Sequence, residues 1–392
     1  MARLGDLFLH IRNGANIKQG LDNTGYPITR IETISNRIVN REKMGYAGIT
    51  DVNKYSDFVL QDGDILMSHI NSEIHLGKVA LYEKEDDEII IHGMNLLSLR
   101  PNKDLITSKY AFYYLSSQSF LRQIPNITKK SVNQASFTVS ALKELVFPIT
   151  SIEEQKKITL DLDKVNDLIS LRKQQLSKLD ELVKSRFVEL FGNLVIGDKI
   201  NTNKLKIGDI ASVTKLAGFE FTKYIQYKEH GDIIMLRGLN CKKGHLVLDD
   251  IKWIDKETSD LLPRSKLYYG DILMTYAGTI GDVAMVDADE KYHLAPNVAK
   301  ITLNDKNACN PVFLMHLFMY TNDYIMTFAS VVAQASINME KIRNFEYYFP
   351  SVEVQNQFAT FVEQTDKSKF EIQKSLEKLE TLKKALMQKY FG

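Results

Sequence analysis

The conventional catalytic material in this 392-residue chain is sparse: eight histidines, two cysteines and ordinary acids. Their spacing suits no common reaction. His69 and His75 flank Glu73, but a helical zinc hydrolase needs HExxH, which sets two histidines one turn apart. His92, His245 and His293 have no partner at ligand spacing. Cys241 and Cys309 form no CxxC, which argues against a zinc knuckle or a disulfide framework. No GxxxxGK[ST] loop is present to cradle a nucleotide, and no GxGxxG follows a strand. Asn-Pro-Pro-Tyr, which holds a target adenine in amino-methyltransferases, is missing. The expectation is a binding and positioning protein with no catalytic residue and no metal.

Composition agrees with a soluble globular chain long enough for two or more domains, 44% hydrophobic and 25% charged. The start, MARLGDLFLH, lacks a charged leader with an apolar run, and no apolar stretch approaches the roughly 20 residues of a membrane span. A cytoplasmic setting and no membrane contact are expected. Net charge is +1, which argues weakly against nucleic acid, because binding needs local rather than total charge. The run EKEDDE at 83–88 must face away from any phosphate backbone. Without it, residues 1–150 hold 16 basic and 11 acidic side chains.

The elements that must position any binding residues come twice. VNQASFT at 132–138 answers VAQASIN at 332–338, and Phe191-Gly192 answers Phe391-Gly392, each 200 positions on. Asp62-Gly63-Asp64-Ile65-Leu66-Met67 answers Tyr269-Gly270-Asp271-Ile272-Leu273-Met274, 207 positions on. Insertions therefore lie inside the globular parts, while the helical parts keep their length. The Gly-Asp segments read as a strand, a tight turn and a second strand. Aromatic helices follow at 109–118 and 311–320, and then strands ending at Pro148 and Pro350. Ser151 and Ser351 are candidate N-caps of long helices. From Ile158 to Leu190 apolar residues recur at alternating spacings of four and three, a heptad seam whose second copy runs from Phe358 to Tyr390. The expected architecture is two mixed α/β (α+β) globular domains, 1–150 and 193–350. Two helices, 151–192 and 351–392, join them as an antiparallel coiled coil in an internal pseudo-two-fold repeat. At about 1.5 Å per residue, each helix is about 60 Å long.

In this order, twice over, the segments resemble the specificity subunit of type I restriction–modification systems. The carrying motifs are the two GDIL segments, PITSIEEQKKI at 148–158, PSVEVQNQF at 350–358, and helices ending Phe-Gly. The chain departs from the family in its single prolines. Its first copy also lacks the second glycine of the G-x-x-G that Gly278 and Gly281 supply in the second. The resemblance implies that each globular domain is a target recognition domain reading one half of a split, asymmetric site in double-stranded DNA. The helices are the spacer that sets the gap. Two methyltransferase subunits dock on them, and restriction subunits join the full complex. S-adenosylmethionine, ATP and Mg belong to those partners, and this chain carries no cofactor.

Candidate DNA contacts follow from the resemblance and from the side chains that read bases and phosphates. In copy one they are Arg30, His69 and Asn71, then Lys129, Lys130, Asn133, Gln134 and Ser136. In copy two they are Arg237, Asn240, Lys242 and Lys243 in MLRGLNCKKGH, Tyr276 and Thr279 in TYAGTIG, and Gln334 and Ser336. For the Gln-Ala-Ser segments the alternative is a solvated loop that caps the following turn, and for the others a surface residue with no partner. A coiled-coil scaffold without DNA, or the DNA-binding subunit of a methylation-only relative, stays open as an alternative.

Overall fold

The structure is a computed structural model describing residues 1–20, 24–35, 37–131, 134–199, 204–330 and 335–392. The chain divides into two compact units. Residues Met1–Lys173 with Lys374–Gly392 make the first, and Gln174–Gln373 makes the second.

In the first unit a six-stranded sheet runs in the order Phe8–Asn13, Leu97–Pro101, Ile65–Met67, Val79–Leu81, Ile38–Val39, Ile34–Ser35. Among the described residues of this sheet, only Ile38–Val39 pairs in parallel, with Val79–Leu81. The apolar run Ile65-Leu66-Met67 is fully buried, as a central strand covered on both faces should be. The aromatic helix Ser108–Leu115 packs Tyr110, Tyr113 and Tyr114 into the same core. The chain closes on itself where Ala2–Arg3 pairs with Val146–Phe147, the strand before Pro148.

The second unit has two four-stranded sheets. One is ordered Ala211–Lys215, Val298–Leu303, Ile272–Thr275, Val283–Met285. The other is ordered Lys252–Ile254, Ile233–Leu236, Tyr292–Leu294, Lys266–Leu267. Here Lys204–Lys206 pairs with Glu346–Tyr348, repeating the closure of the first unit.

The Gly-Asp turns are not hairpin turns as expected. Lys266–Leu267 pairs with Tyr292–Leu294 in one sheet, whereas Ile272–Thr275 belongs to the other. In the second unit the turn thus passes the chain from sheet to sheet, and in the first the segment before it bridges from Val59 to Ile91 rather than to the strand that follows. Gly63 and Gly270 take φ of 88° and 86° there, where a side chain is disfavoured. The following aspartates are buried. Asp64 accepts a two-pronged pair from Arg100 at 2.8 and 2.7 Å and the Gln61 amide at 2.8 Å. Asp271 accepts the Tyr268 amide at 2.8 Å and the Thr302 hydroxyl at 2.5 Å. The motif is a device for a buried corner.

Two helices of 40 residues, Ile152–Phe191 and Val352–Phe391, contribute a portion to each unit. The Ser151 hydroxyl accepts the Glu154 amide at 3.3 Å, the expected N-cap. Gly192 and Gly392 end the helices at positive φ, as left-handed C-caps do. Within the first unit, Asp161 accepts from the Tyr390 hydroxyl at 2.7 Å and Lys173 meets Glu380 at 3.7 Å, so the helical segments run antiparallel. Within the second, Lys369 meets Asp180 at 2.6 Å, and the Phe187 and Phe358 rings pack edge to face at 5.3 Å. Phe391 packs on Tyr110 at 5.4 Å and Phe191 on Phe313 at 5.0 Å, so each helix ends in the core of an aromatic helix.

Gln155 and Gln355, the glutamines of the two Glu-x-Gln motifs, are buried. Gln155 accepts the Thr107 amide at 2.9 Å and donates to the Leu105 and Thr150 carbonyls at 3.0 and 2.9 Å. Gln355 accepts the Asn310 amide and donates to the Pro350 carbonyl, both at 2.9 Å. Each clamps the cap of its aromatic helix to the base of a long helix.

Candidate nucleic-acid interface

The Gln-Ala-Ser segments and the loops after GDIL, far apart in sequence, meet in the same way in both units. In the first, Ala135–Ser136 is the middle strand of a small sheet between Ile70–Asn71 and Lys129–Lys130. In the second, Ser336 bridges to Ala277 and to Ser330. The Phe137 amide donates to the His69 carbonyl at 3.2 Å, and the Ile337 amide to the Tyr276 carbonyl at 2.8 Å. His69 and Tyr276 therefore occupy the same station. Each unit has one patch made of two candidate segments.

The patch in the first unit carries its charge on Lys129 and Lys130, both exposed. Lys130 pairs with Glu73 at 2.9 Å, which leaves Lys129 as the less committed cation. The Asn71 carbonyl oxygen accepts the Ser72 amide at 2.8 Å, and its amide group reaches Ser68 at 3.5 Å. Gln134 is exposed, and its backbone carbonyl takes both the amide and the hydroxyl of Ser131, at 2.8 and 2.7 Å, closing a turn. Ser136 is half-buried on the central strand. Asn133 and Gln334 lie outside the described residues.

His69 is only 5% exposed, and burial holds its imidazole at about 4, so it is a neutral core group beside Phe137. It is withdrawn as a direct contact in this conformation. Asn240 is fully buried for a different reason: its amide ties the Val247 and Asp250 carbonyls at 2.8 and 2.9 Å. It holds a loop and is likewise withdrawn.

Arg30 and Arg237 share a geometry. Each precedes a 3-10 turn, and its amide is capped three residues on, by Thr33 at 2.8 Å or Asn240 at 3.0 Å. The Arg30 guanidinium is taken by Gln19 and the Arg237 guanidinium by Asp250 at 2.8 Å, so both are already partnered. Lys242 and Lys243 are exposed on a two-residue hairpin in which Lys243 and Gly244 have φ of 49° and 85°, the left-handed pair that such a turn requires. The Gly244 amide donates to the Val283 carbonyl at 2.9 Å, so the hairpin docks beside the strands leading to Tyr276. Tyr276 is half-buried and Thr279 exposed. The Lys215 ammonium lies 5.5 Å from the Tyr276 ring. Lys215 escaped sequence reading because only the pairing of Ala211–Lys215 with Val298–Leu303 brings it there.

Among the described residues no group of three or more His, Cys, Asp or Glu side chains could hold a metal, and no helix is long and apolar enough to cross a membrane. The patches offer hydrogen-bonding side chains and local positive charge, which is the chemistry of duplex recognition.

Residues 1–181 and 200–384 match the family model described as the type I restriction modification DNA specificity domain. The chain belongs to this family. A protein of Methanocaldococcus jannaschii, provisionally assigned as the MjaX type I restriction enzyme specificity subunit, is 31% identical over 98% of this chain and 90% of its own. A chain solved in work on complex assembly and conformational transition of a type I restriction–modification system covers all of this chain at a TM-score of 0.59 and 15% identity, over 96% of its own length. The S subunit of such a system from M. genitalium covers all of it at 0.56 and 14%, over 95% of its own. At these identities the likeness to solved structures concerns the fold alone.

Proposed function

We propose that this specificity-family chain is the DNA-reading subunit of a type I restriction–modification complex. The target recognition domains are residues 1–150 and 193–350. Each reads one half of a bipartite, asymmetric site through its Gln-Ala-Ser patch, with Lys129, Lys242 and Lys243 on phosphates. Residues 151–192 and 351–392 form an antiparallel coiled coil that fixes the gap between half-sites. Major-groove faces recur about every 34–36 Å, so two readers on one side of the duplex need a stiff spacer of that order.

Two methyltransferase subunits dock on the helices. Apolar side chains there remain open to solvent, among them Leu160, Leu171, Leu182 and Phe370, each well exposed in the isolated chain, as a docking face requires. Restriction subunits complete the assembly, which works in the cytoplasm. The chain itself is non-catalytic. S-adenosylmethionine, ATP and Mg act on the partners.

The observation that carries this reading is the family match to both halves, joined to a polar patch built alike in both units. The test is selection from a randomised duplex library by the chain assembled with its methyltransferase subunits. Enrichment of a split motif is expected. Binding without sequence preference would mark the chain as a scaffold.

A further inference from the structure

The first unit contains a cavity of about 550 Å³ near the end of its aromatic helix, a size suited to a small molecule. Arg37, Lys173, Lys383 and Lys384 line it, against one acidic side chain, Glu380, and Gly392, whose oxygen already accepts from the Ser119 hydroxyl at 2.7 Å. Lys173 meets Glu380 at 3.7 Å. Among the described residues, Arg37, Lys383 and Lys384 have no carboxylate within ion-pair distance. The wall also contains Ser116, which is 7% exposed and whose buried hydroxyl has no hydrogen-bond partner among the described residues. A buried hydroxyl left unpaired is destabilising, so its presence calls for a missing partner.

The second unit shows that the fold does not require this opening. At the positions 200 residues earlier, Lys383 and Met387 are replaced by Val183 and Phe187, each 2% exposed within the core. Ile169 is replaced by Lys369, which pairs with Asp180 at 2.6 Å. Tyr320 closes the corner against Phe187 at 5.1 Å. The same helices thus make a seam filled by apolar side chains and an ion pair in one unit and an open cationic cavity in the other. Burial, then Arg37 and Lys173, press the Lys383 ammonium toward losing its proton. An anion in the cavity relieves that pressure.

We propose that this cavity binds a small phosphorylated molecule, of the nucleoside diphosphate class, with Arg37, Lys383 and Lys384 on the phosphates and Ser116 donating its hydroxyl from the wall. Ile169 and Met387 supply apolar contact for the body of the ligand. An enclosed hydroxyl and a cavity of this size suit a small ligand better than the continuous backbone of a duplex.

Calorimetric titration of the full chain with ADP and with pyrophosphate tests this. Saturable binding of both is expected, with ADP the tighter. Lys383→Met should weaken binding about tenfold or more, as loss of a charged hydrogen bond does. Ser116→Ala should weaken it severalfold without lowering the melting temperature, because no partner within the protein is lost. Lys184→Ala, at the position 200 residues before Lys384, should change nothing. Absence of saturable binding, or full affinity in both Lys383→Met and Ser116→Ala, overturns the proposal. A response to duplex DNA but to neither small probe also overturns it, and assigns these cations to the DNA interface.

Discussion

At the scale of single residues, the structure separates side chains that hold the fold from those free to meet a ligand. Sequence put Lys129 and Lys130 on equal terms, but the Glu73 pairing distinguishes them. Lys129→Ala should weaken DNA binding by the assembled complex for every sequence alike and lower the salt slope of log affinity by about 0.9, read from binding at several salt concentrations. An altered motif instead would make Lys129 a base reader. Gln155 has a different task. Gln155→Ala leaves one amide and two carbonyls without partners and should cost about 3 kcal/mol in urea unfolding. A loss below about 0.5 kcal/mol would show that the clamp is not needed.

Histidines were the hardest to read from sequence, because burial decides their role and no spacing reveals it. Burial holds His10 and His69 at about 4 and His92 at about 3, with Arg12 and Arg100 adding to the effect at His10. The unfolded chain therefore binds protons that the folded chain refuses. Stability should be intact above about pH 6.5 and fall as pH drops from 6.5 toward 4, measured by urea unfolding across that range. A flat profile would contradict the buried, neutral assignment.

At the scale of elements, periodicity and caps were informative. The long helices, the Ser151 cap and the Phe-Gly ends all follow local rules of spacing and capping, which need no knowledge of tertiary packing. The Gly-Asp turn was misjudged as a hairpin because tight-turn chemistry is the same whether the chain returns along one sheet or crosses to another. The convergence of the Gln-Ala-Ser segments with the loops after GDIL was legible only as two separate candidates. Strands of two residues carry too little pattern to announce their pairing. The helix ends bear weight in the cores. Phe391→Ala removes a ring packed on Tyr110 and Tyr114 and should cost about 3–5 kcal/mol. Leu382→Ala, at a position 46% exposed, should change stability by less than about 0.5 kcal/mol. Equal losses in thermal or urea unfolding would contradict this assignment of the helix end.

At the scale of the whole molecule, duplication organises the account. Both units repeat the closing strand pair, the buried aspartate corner, the glutamine clamp and the polar patch, yet they differ in loops, in sheet arrangement and in the cationic cavity. Shared parts meet demands that both units face: closing a domain and seating it on a helix. Divergent parts are free to take different ligands and to read different sequences. The central claim is that each half reads independently while the helices set the gap. The most direct measurement is methylome sequencing of a host carrying the intact system, with residues 1–150 exchanged for those of another member of the family. The account predicts that one half-site changes while the other half-site and the gap length are kept. A change in both half-sites, or in neither, would contradict it.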